Sequence, residues 1–365
     1  MLFSSNDELS FLNYFEMAKG VSSGNAKGKL KITSENGQTY FSLFSNELII
    51  ISKIDKYESD FETILDIDDF SSVVKNTPNN QVLRLEKNVL SFNETTYTFE
   101  DHPITLPDYK DYLEVIQNVS PSKVIHNLPL DNKIDTALAF VGEKDTSSIE
   151  YMDDHFVATN KVKACMLKNT ESTIDSHLIF SSVLCSFLNK TRLKSINIDF
   201  YDSDKVTVPY YVIALDNTYI ISSIPESKLP NLFDSKYMKV YNHSSKIEIN
   251  RSYLMEALKR MRIVTKFDSV SKAVNFYVYA DKVVLKGDDT NSSASAIETI
   301  SATVDSEIIN FYSRFNSTYL NTILSYIDSE SVRIYLSTSS DFLVAKITDT
   351  EEKNIFLLTR LHTQN

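Results

Sequence analysis

Apolar positions along this chain follow two rhythms, one helical and one alternating, and the order of the rhythms recurs. After Phe180, the residues Val183, Leu184 and Phe187 continue a helical stripe, and Ile196, Ile198 and Phe200 then alternate as in a strand. The stretch opening at Phe315 does the same, with Leu320, Ile323, Leu324 and Ile327 followed by Val332, Ile334 and Leu336. From Phe70 a shorter helical pattern leads to a turn after Pro78 and two strands, where Leu83 and Leu85 share a face, as do Leu90 and Phe92. The tetrapeptide "FSSV" is written at both Phe70 and Phe180, and "FNSTYL" opens the third copy. Serine or aspartate near a helix start can accept the free N–H groups of the first turn, which explains the residue type there.

The segments ahead of these starts also correspond. A helix-like stretch comes first ("ELSFLNYFEMAKG", "LDNKIDTALAFVG", "NRSYLMEALKRMRIVTK"). An alternating pair of strands about a polar turn comes next ("YFSLFSNELIII", "SIEYMDDHFVATN", "VNFYVYADKVVLKGD"). The predicted unit is helix, hairpin, helix, strands, three times over, at domain-sized rather than solenoid-sized intervals. Polar, proline-containing connectors place the boundaries, giving residues 1–120, 121–242 and 243–365 as three domains.

Composition narrows the class. A 365-residue chain with 42% hydrophobic residues can fill two or three cores. Cys165 and Cys185 sit in apolar surroundings without metal-type spacing, so they read as buried thiols of a reducing cytoplasm. The N-terminus has no signal-peptide pattern and no apolar run is long enough for a membrane span, so a soluble, cytoplasmic protein without membrane partners is expected. A net charge of −12 argues against a general nucleic-acid coat while leaving room for a local basic face. The six glycines form no phosphate loop, the six histidines lack zinc-type partners, and Asp153 and Asp154 read as a polar hairpin tip. Nothing demands an enzyme, a metal or a cofactor.

Several stretches carry a resemblance. "LPDYKDYLEVI" from Leu106, and less closely "FDSKYMKVY" from Phe233, resemble the segment that ends the domains of bacterial and phage DNA polymerase sliding clamps, the beta-clamp family. "FVATNKVKAC" from Phe156 is similar to the family's Ala-Thr-Asp segment of the middle domain, with Asn160 in place of the aspartate. "SYLMEALKRMRIVT" from Ser252 looks like the helix opening the third domain, and "FNSTYLNTIL" and "NIFLLTRL" resemble its last helix and the family's Met-Pro-Met-Arg-Leu terminus. The resemblance spans the whole chain in order. It implies an α+β fold of three tandem clamp-like domains, each with two helices packed on antiparallel sheets, forming half of a closed ring.

The resemblance further implies a homodimer encircling duplex DNA, a polymerase tethered through a peptide groove, and an ATP-driven clamp loader. The Asn- and Ser-rich text makes a phage source plausible, with the host cytoplasm as its location. Tyr97, Phe99, Ile263 and Val264 match dimer-interface positions, or else are ordinary core residues. Lys259, Arg262 and Lys266 share one face of the third domain's first helix, in a window where Arg251 and Arg260 add further cations against Glu256. With Lys75, Lys133, Lys190, Arg192 and Lys194 they are the DNA-facing set, unless they are only a solvated surface. Val162, Val240, Asn242, Ile355 and Leu357 match the partner-peptide pocket, the alternative being that they fill the third domain's core. The competing function is a repeat-built assembly protein that uses edge-strand pairing and has no DNA role.

Overall fold

A computed structural model of the chain describes residues 1–3, 6–21, 28–56, 58–79, 81–130, 132–143, 146–169, 177–202, 208–226, 229, 230, 232, 233, 238, 241, 245–265, 272–288, 295–338 and 343–361. Among them one order of elements, βαββββαβββ, occurs three times. The first copy holds β1 (Leu2–Phe3), α1 (Leu12–Lys19), β2 (Lys29–Glu35), β3 (Gln38–Phe44), β4 (Leu48–Ile54), β5 (Phe61–Asp66), α2 (Ile67–Asn76), β6 (Leu83–Glu86), β7 (Val89–Phe92) and β8 (Thr95–Thr98). Helix α3 (Tyr109–Asn118) follows it. The second comprises β9 (Lys123–Pro129), α4 (Lys133–Leu138), β10 (Ser148–Met152), β11 (His155–Thr159), β12 (Lys163–Lys168), β13 (Leu178–Ser181), α5 (Ser182–Thr191), β14 (Ser195–Tyr201), β15 (Tyr210–Leu215) and β16 (Thr218–Ser223). The third comprises β17 (Lys246–Asn250), α6 (Arg251–Thr265), β18 (Ala273–Val278), β19 (Lys282–Asp288), β20 (Ser295–Val304), β21 (Tyr312–Asn316), α7 (Ser317–Ser325), β22 (Ser331–Leu336), β23 (Val344–Thr348) and β24 (Asn354–Thr359).

Each copy thus carries four strands between its helices where the sequence pattern predicts one hairpin. The fourth strand runs straight into a helix, and the cap residue is its last position. Asp66 accepts the Asp68 N–H at 3.0 Å, Ser181 Oγ accepts the Leu184 N–H at 3.0 Å, and Asn316 Oδ1 accepts those of Thr318 and Tyr319 at 3.0 and 3.1 Å. Each cap satisfies donors the helix cannot pair itself, an effect of about 1 kcal/mol per helix. Behind the caps, the predicted stripes point inward, with Leu184 and Phe187 on α5 and Leu320, Ile323 and Leu324 on α7 buried, and Leu254, Leu258 and Met261 bury one face of α6 as well.

The chain divides into two compact units, Met1–Asp135 with Ile179–Glu226, and Thr136–Leu178 with Ser227–Asn365. In the first, an antiparallel sheet runs β5-β2-β3-β4-β16-β15-β14-β9, and β4 joins β16 so that Leu48 faces Ser222 and Ile49 faces Ile221. A second sheet, β1-β6-β7-β8, ends on β8, every residue of which is exposed. In the other unit, strands β10-β11-β12-β24-β23-β22-β17 follow in order, and β12 joins β24 with Lys163 facing Leu358 and Ala164 facing Leu357. Each unit therefore has a seam at which strands of two different repeats pair.

Candidate partner pocket and basic surface

The turn from β11 to β12 is fixed by its own side chains. Asn160 Oδ1 accepts the N–H groups of Val162 and Lys163 at 3.1 and 2.9 Å, while Thr159 Oγ1 donates to the Lys163 carbonyl and accepts the Lys161 N–H, both at 3.0 Å. Lys161 adopts φ 71° as a result, a left-handed conformation costly for a residue with a Cβ. The turn holds Val162 outward, 39% exposed. One step on, Lys163 turns inward: its Nζ donates to the Ala139 carbonyl at 2.6 Å and lies 4.8 Å from the Phe140 ring centroid and 5.3 Å from that of Tyr319. Burial pushes its pKa down.

Across the seam, Leu357 packs with Ala164, Tyr241 and Tyr335 in one apolar cluster. Tyr241 Oη donates to the Val344 carbonyl at 3.2 Å, and burial pushes the hydroxyl's pKa up. Val162, Ala164, Leu232, Tyr241, Val344 and Leu357 enclose a cavity of about 150 Å³. That is below the ~300 Å³ of a small-molecule site and suits one apolar side chain of a peptide.

Of the residues the sequence assigned to this pocket, Val162 and Leu357 meet in it. Ile355 packs half-buried against the same cluster, two residues before Leu357. Val240 and Asn242 lie outside the described residues. Ala164, Tyr241 and Val344 escaped the sequence reading, although Ala164 and Tyr241 stand inside the segments that carried the resemblance.

Among the basic residues, Lys259 and Arg262 are exposed on α6, and Lys190, Arg192 and Lys194 are exposed around the end of α5, where Arg192 forms a left-handed cap at φ 55°. No carboxylate pairs with these five among the described residues. Others differ. Lys75 is ion-paired with Glu16. Arg260 grips Glu298 with two bonds, at 2.6 and 3.1 Å, and Arg251 donates to the Leu324 carbonyl at 3.3 Å. Lys133 opens α4 and is half-buried, and Lys266 lies outside the described residues.

At the assigned interface positions, Tyr97 is 40% exposed on β8 and Ile263 is 67% exposed on α6, with Val264 half-buried beside it. Phe99 is already buried in its own unit, its ring 5.6 Å from that of Phe70. Residues Ser295 to Ser301 of β20 pair with β19 on one edge only among the described residues, and Ile297 there is 63% exposed. Among the described residues no three His, Cys, Asp or Glu side chains gather as a metal site, and no helix is long and apolar enough to cross a membrane.

This is an α+β architecture of three repeats on antiparallel sheets, with an apolar pocket beside the last strand. Residues 241–360 match the family model described as the DNA polymerase III beta subunit, C-terminal domain. The fold is similar to that of the DNA polymerase III subunit beta from Pseudomonas aeruginosa, at 14% identity over 100% of both chains, with a TM-score of 0.75. It is also similar to the beta subunit from Thermotoga maritima, at 14% identity over 99% of this chain and 98% of that one, TM-score 0.74. The sliding clamp from Caulobacter crescentus aligns at 13% identity over 99% of each chain, TM-score 0.74. A search of curated proteins by sequence gave no match. The chain has the beta-clamp fold from end to end, and residues 241–360 match the model of the family's C-terminal domain.

Proposed function

We propose that the protein is a DNA sliding clamp, a non-catalytic processivity factor that closes as a homodimeric ring around duplex DNA. The full-length likeness to beta clamps carries this reading. A ring holds DNA by closure, so tight contact is unnecessary and an acidic chain of −12 can serve if its lumen is locally basic. Lys190, Arg192, Lys194, Lys259 and Arg262, exposed and unpaired among the described residues, are the DNA-facing set supported best, with Lys133 and Lys266 alongside. Lys75, tied to Glu16, contributes least.

Two exposed strand edges support head-to-tail closure. β8 of the first repeat and the start of β20 in the third each have an edge that pairs with no strand among the described residues, flanked by Tyr97 in one case and by Ile263 and Ile297 in the other. The pocket around Val162 and Leu357 would take an apolar anchor from a polymerase or another replication protein, and an ATP-driven loader would open the ring. Solution mass and retention on DNA test the reading together. A particle of twice 41.6 kDa that stays on nicked circular DNA and is lost on linearisation is expected. Higher oligomers, or equal retention on both DNA forms, would exclude a ring.

A further inference from the structure

The two seams carry equivalent cavities. In the unit that begins at Met1, Phe44 faces Ile49 across β3 and β4, Ile49 faces Ile221 across the seam, and Tyr210 faces Ser223 across β15 and β16. In the other unit, Thr159 faces Ala164, Ala164 faces Leu357, and Val344 faces Thr359, strand for strand in the same register. Every one of these residues lines the cavity of its own unit. The repeat has thus written the partner pocket twice.

The first unit's version is larger and differs in chemistry. It encloses about 610 Å³, within the range of specific binding clefts. Tyr112 and Val115 of α3 wall it on one side, and Phe44, Leu48 and Ile221 give it an apolar floor. Glu47 takes the turn position that Val162 takes in the other unit, and Asp111, exposed in the first turn of α3, also lines the cavity. No cation pairs with either carboxylate among the described residues. Tyr210, 7% exposed, lines it with a buried hydroxyl that has no hydrogen-bond partner among the described residues. The other pocket carries Lys161 at its rim and no carboxylate.

We propose that the first unit's cavity is a second peptide-docking groove, for an extended segment with an aromatic or branched aliphatic anchor beside lysine or arginine. The proposal rests on reading the equivalent pocket as a peptide site. Apolar floor and anionic rim together select such a segment, since the rim would repel an acidic one. Two grooves of opposite rim charge would let one clamp hold two classes of partner at once.

An array of labelled decapeptides tests this, presenting every pair of apolar residues at the centre, each in a lysine-flanked and a glutamate-flanked version. Affinities are read by anisotropy against the full chain. Lysine-flanked members are expected to bind the Val162→Asp variant as well as the parent, and to weaken about tenfold in Glu47→Lys/Asp111→Lys. Val115→Gln, which puts a polar amide on the apolar wall without adding charge, should weaken them too. Glu114→Lys, a charge change on α3 outside the cavity, should not. Lysine-flanked binding that ignores Glu47, Asp111 and Val115, or falls equally with Glu114→Lys, overturns the groove. So does the absence of any lysine-flanked binder. Loss of all peptide binding in Val162→Asp alone would also overturn it, while supporting the pocket in the other unit. Peptide binding that survives Val162→Asp for every sequence but needs Glu47 and Asp111 would support the groove and remove the other pocket.

Discussion

Leu357 stands directly opposite Ala164 across the β12–β24 ladder, and both line the cavity that Val162 overhangs. The pairing joins a strand of the second repeat to the last strand of the third, so the pocket exists only when both have folded. Val162→Asp should abolish capture of a glutamate-flanked, apolar-anchored peptide and polymerase stimulation, because it places a charge at the mouth of an apolar cavity. At 39% exposure the change should alter stability by within about 0.5 kcal/mol. Leu357→Ala should instead cost about 2–5 kcal/mol, since that side chain is 6% exposed. Titration with a glutamate-flanked peptide, together with denaturant unfolding of both variants, separates the effects, and unchanged binding of that peptide in Val162→Asp removes this cavity from partner capture.

Ring closure makes a second prediction. Ile263→Asp puts a charge on an isoleucine that is 67% exposed in the single chain, so folding should be unaffected. If Ile263 meets a second chain, the variant should run as a 41.6 kDa monomer in light scattering and lose retention on circular DNA. Phe99→Ala should behave differently, lowering stability by about 3–5 kcal/mol because its ring already packs against Phe70. A dimeric Ile263→Asp variant would place the interface elsewhere.

The repeat was legible because local periodicity survives in each copy. The stripe of Leu320, Ile323 and Leu324 and the alternation of Val332, Ile334 and Leu336 need no distant partner to be recognised. The strands ending at Asp66, Ser181 and Asn316 were not, since they are short and merge into helices without a turn. Charge was half legible. The exposed face of Lys259 and Arg262 follows from helical spacing, but the quenching of Arg260 by Glu298 and of Lys75 by Glu16 joins residues far apart in sequence. The pocket was legible at Val162 and Leu357 through resemblance, whereas its copy at Phe44, Ile49 and Ile221 depends on seam register that no local pattern records.

Acid should loosen the start of α3. Lys110 Nζ donates to Glu35 at 2.8 Å and the Tyr109 hydroxyl also donates to it, which ties the start of α3 to the end of β2. The hydrogen bonds from Lys110 and Tyr109 hold the Glu35 carboxyl below its usual range. A carboxylate with a depressed folded pKa contributes stability that is full above its unfolded value, ~4.3, and is lost as pH falls through the folded value. The melting temperature of Glu35→Gln should therefore lie below that of the parent at neutral pH, with the gap closing under acid. A gap that stays constant with pH would mean that Glu35 does not titrate with folding.

Burial makes the thiols report on unfolding. Cys165 and Cys185 are fully buried and unpaired by a disulfide, and burial pushes both thiols' pKa up. A maleimide should leave both untouched in the native protein and modify both in concentrated guanidinium. Modification of the native chain at neutral pH would show that Ala158–Cys165 or α5 opens locally.

The basic face of α6 should act through salt-dependent attraction rather than through fold. Lys259 and Arg262 are exposed and take no carboxylate among the described residues, so the double change Lys259→Glu/Arg262→Glu should leave the melting temperature near that of the parent. Every phosphate deprived of its lysine or arginine should flatten the dependence of log affinity on log salt by about 0.9. Binding of a short duplex, followed across a salt series, should therefore show a slope shallower by about 2 and weaker affinity at low salt. Arg260→Ala provides the contrast. Its guanidinium is held by Glu298 on β20, so its removal should change the slope little while freeing a carboxylate on the same surface. Equal slopes for the double variant and the parent would mean that α6 does not face DNA.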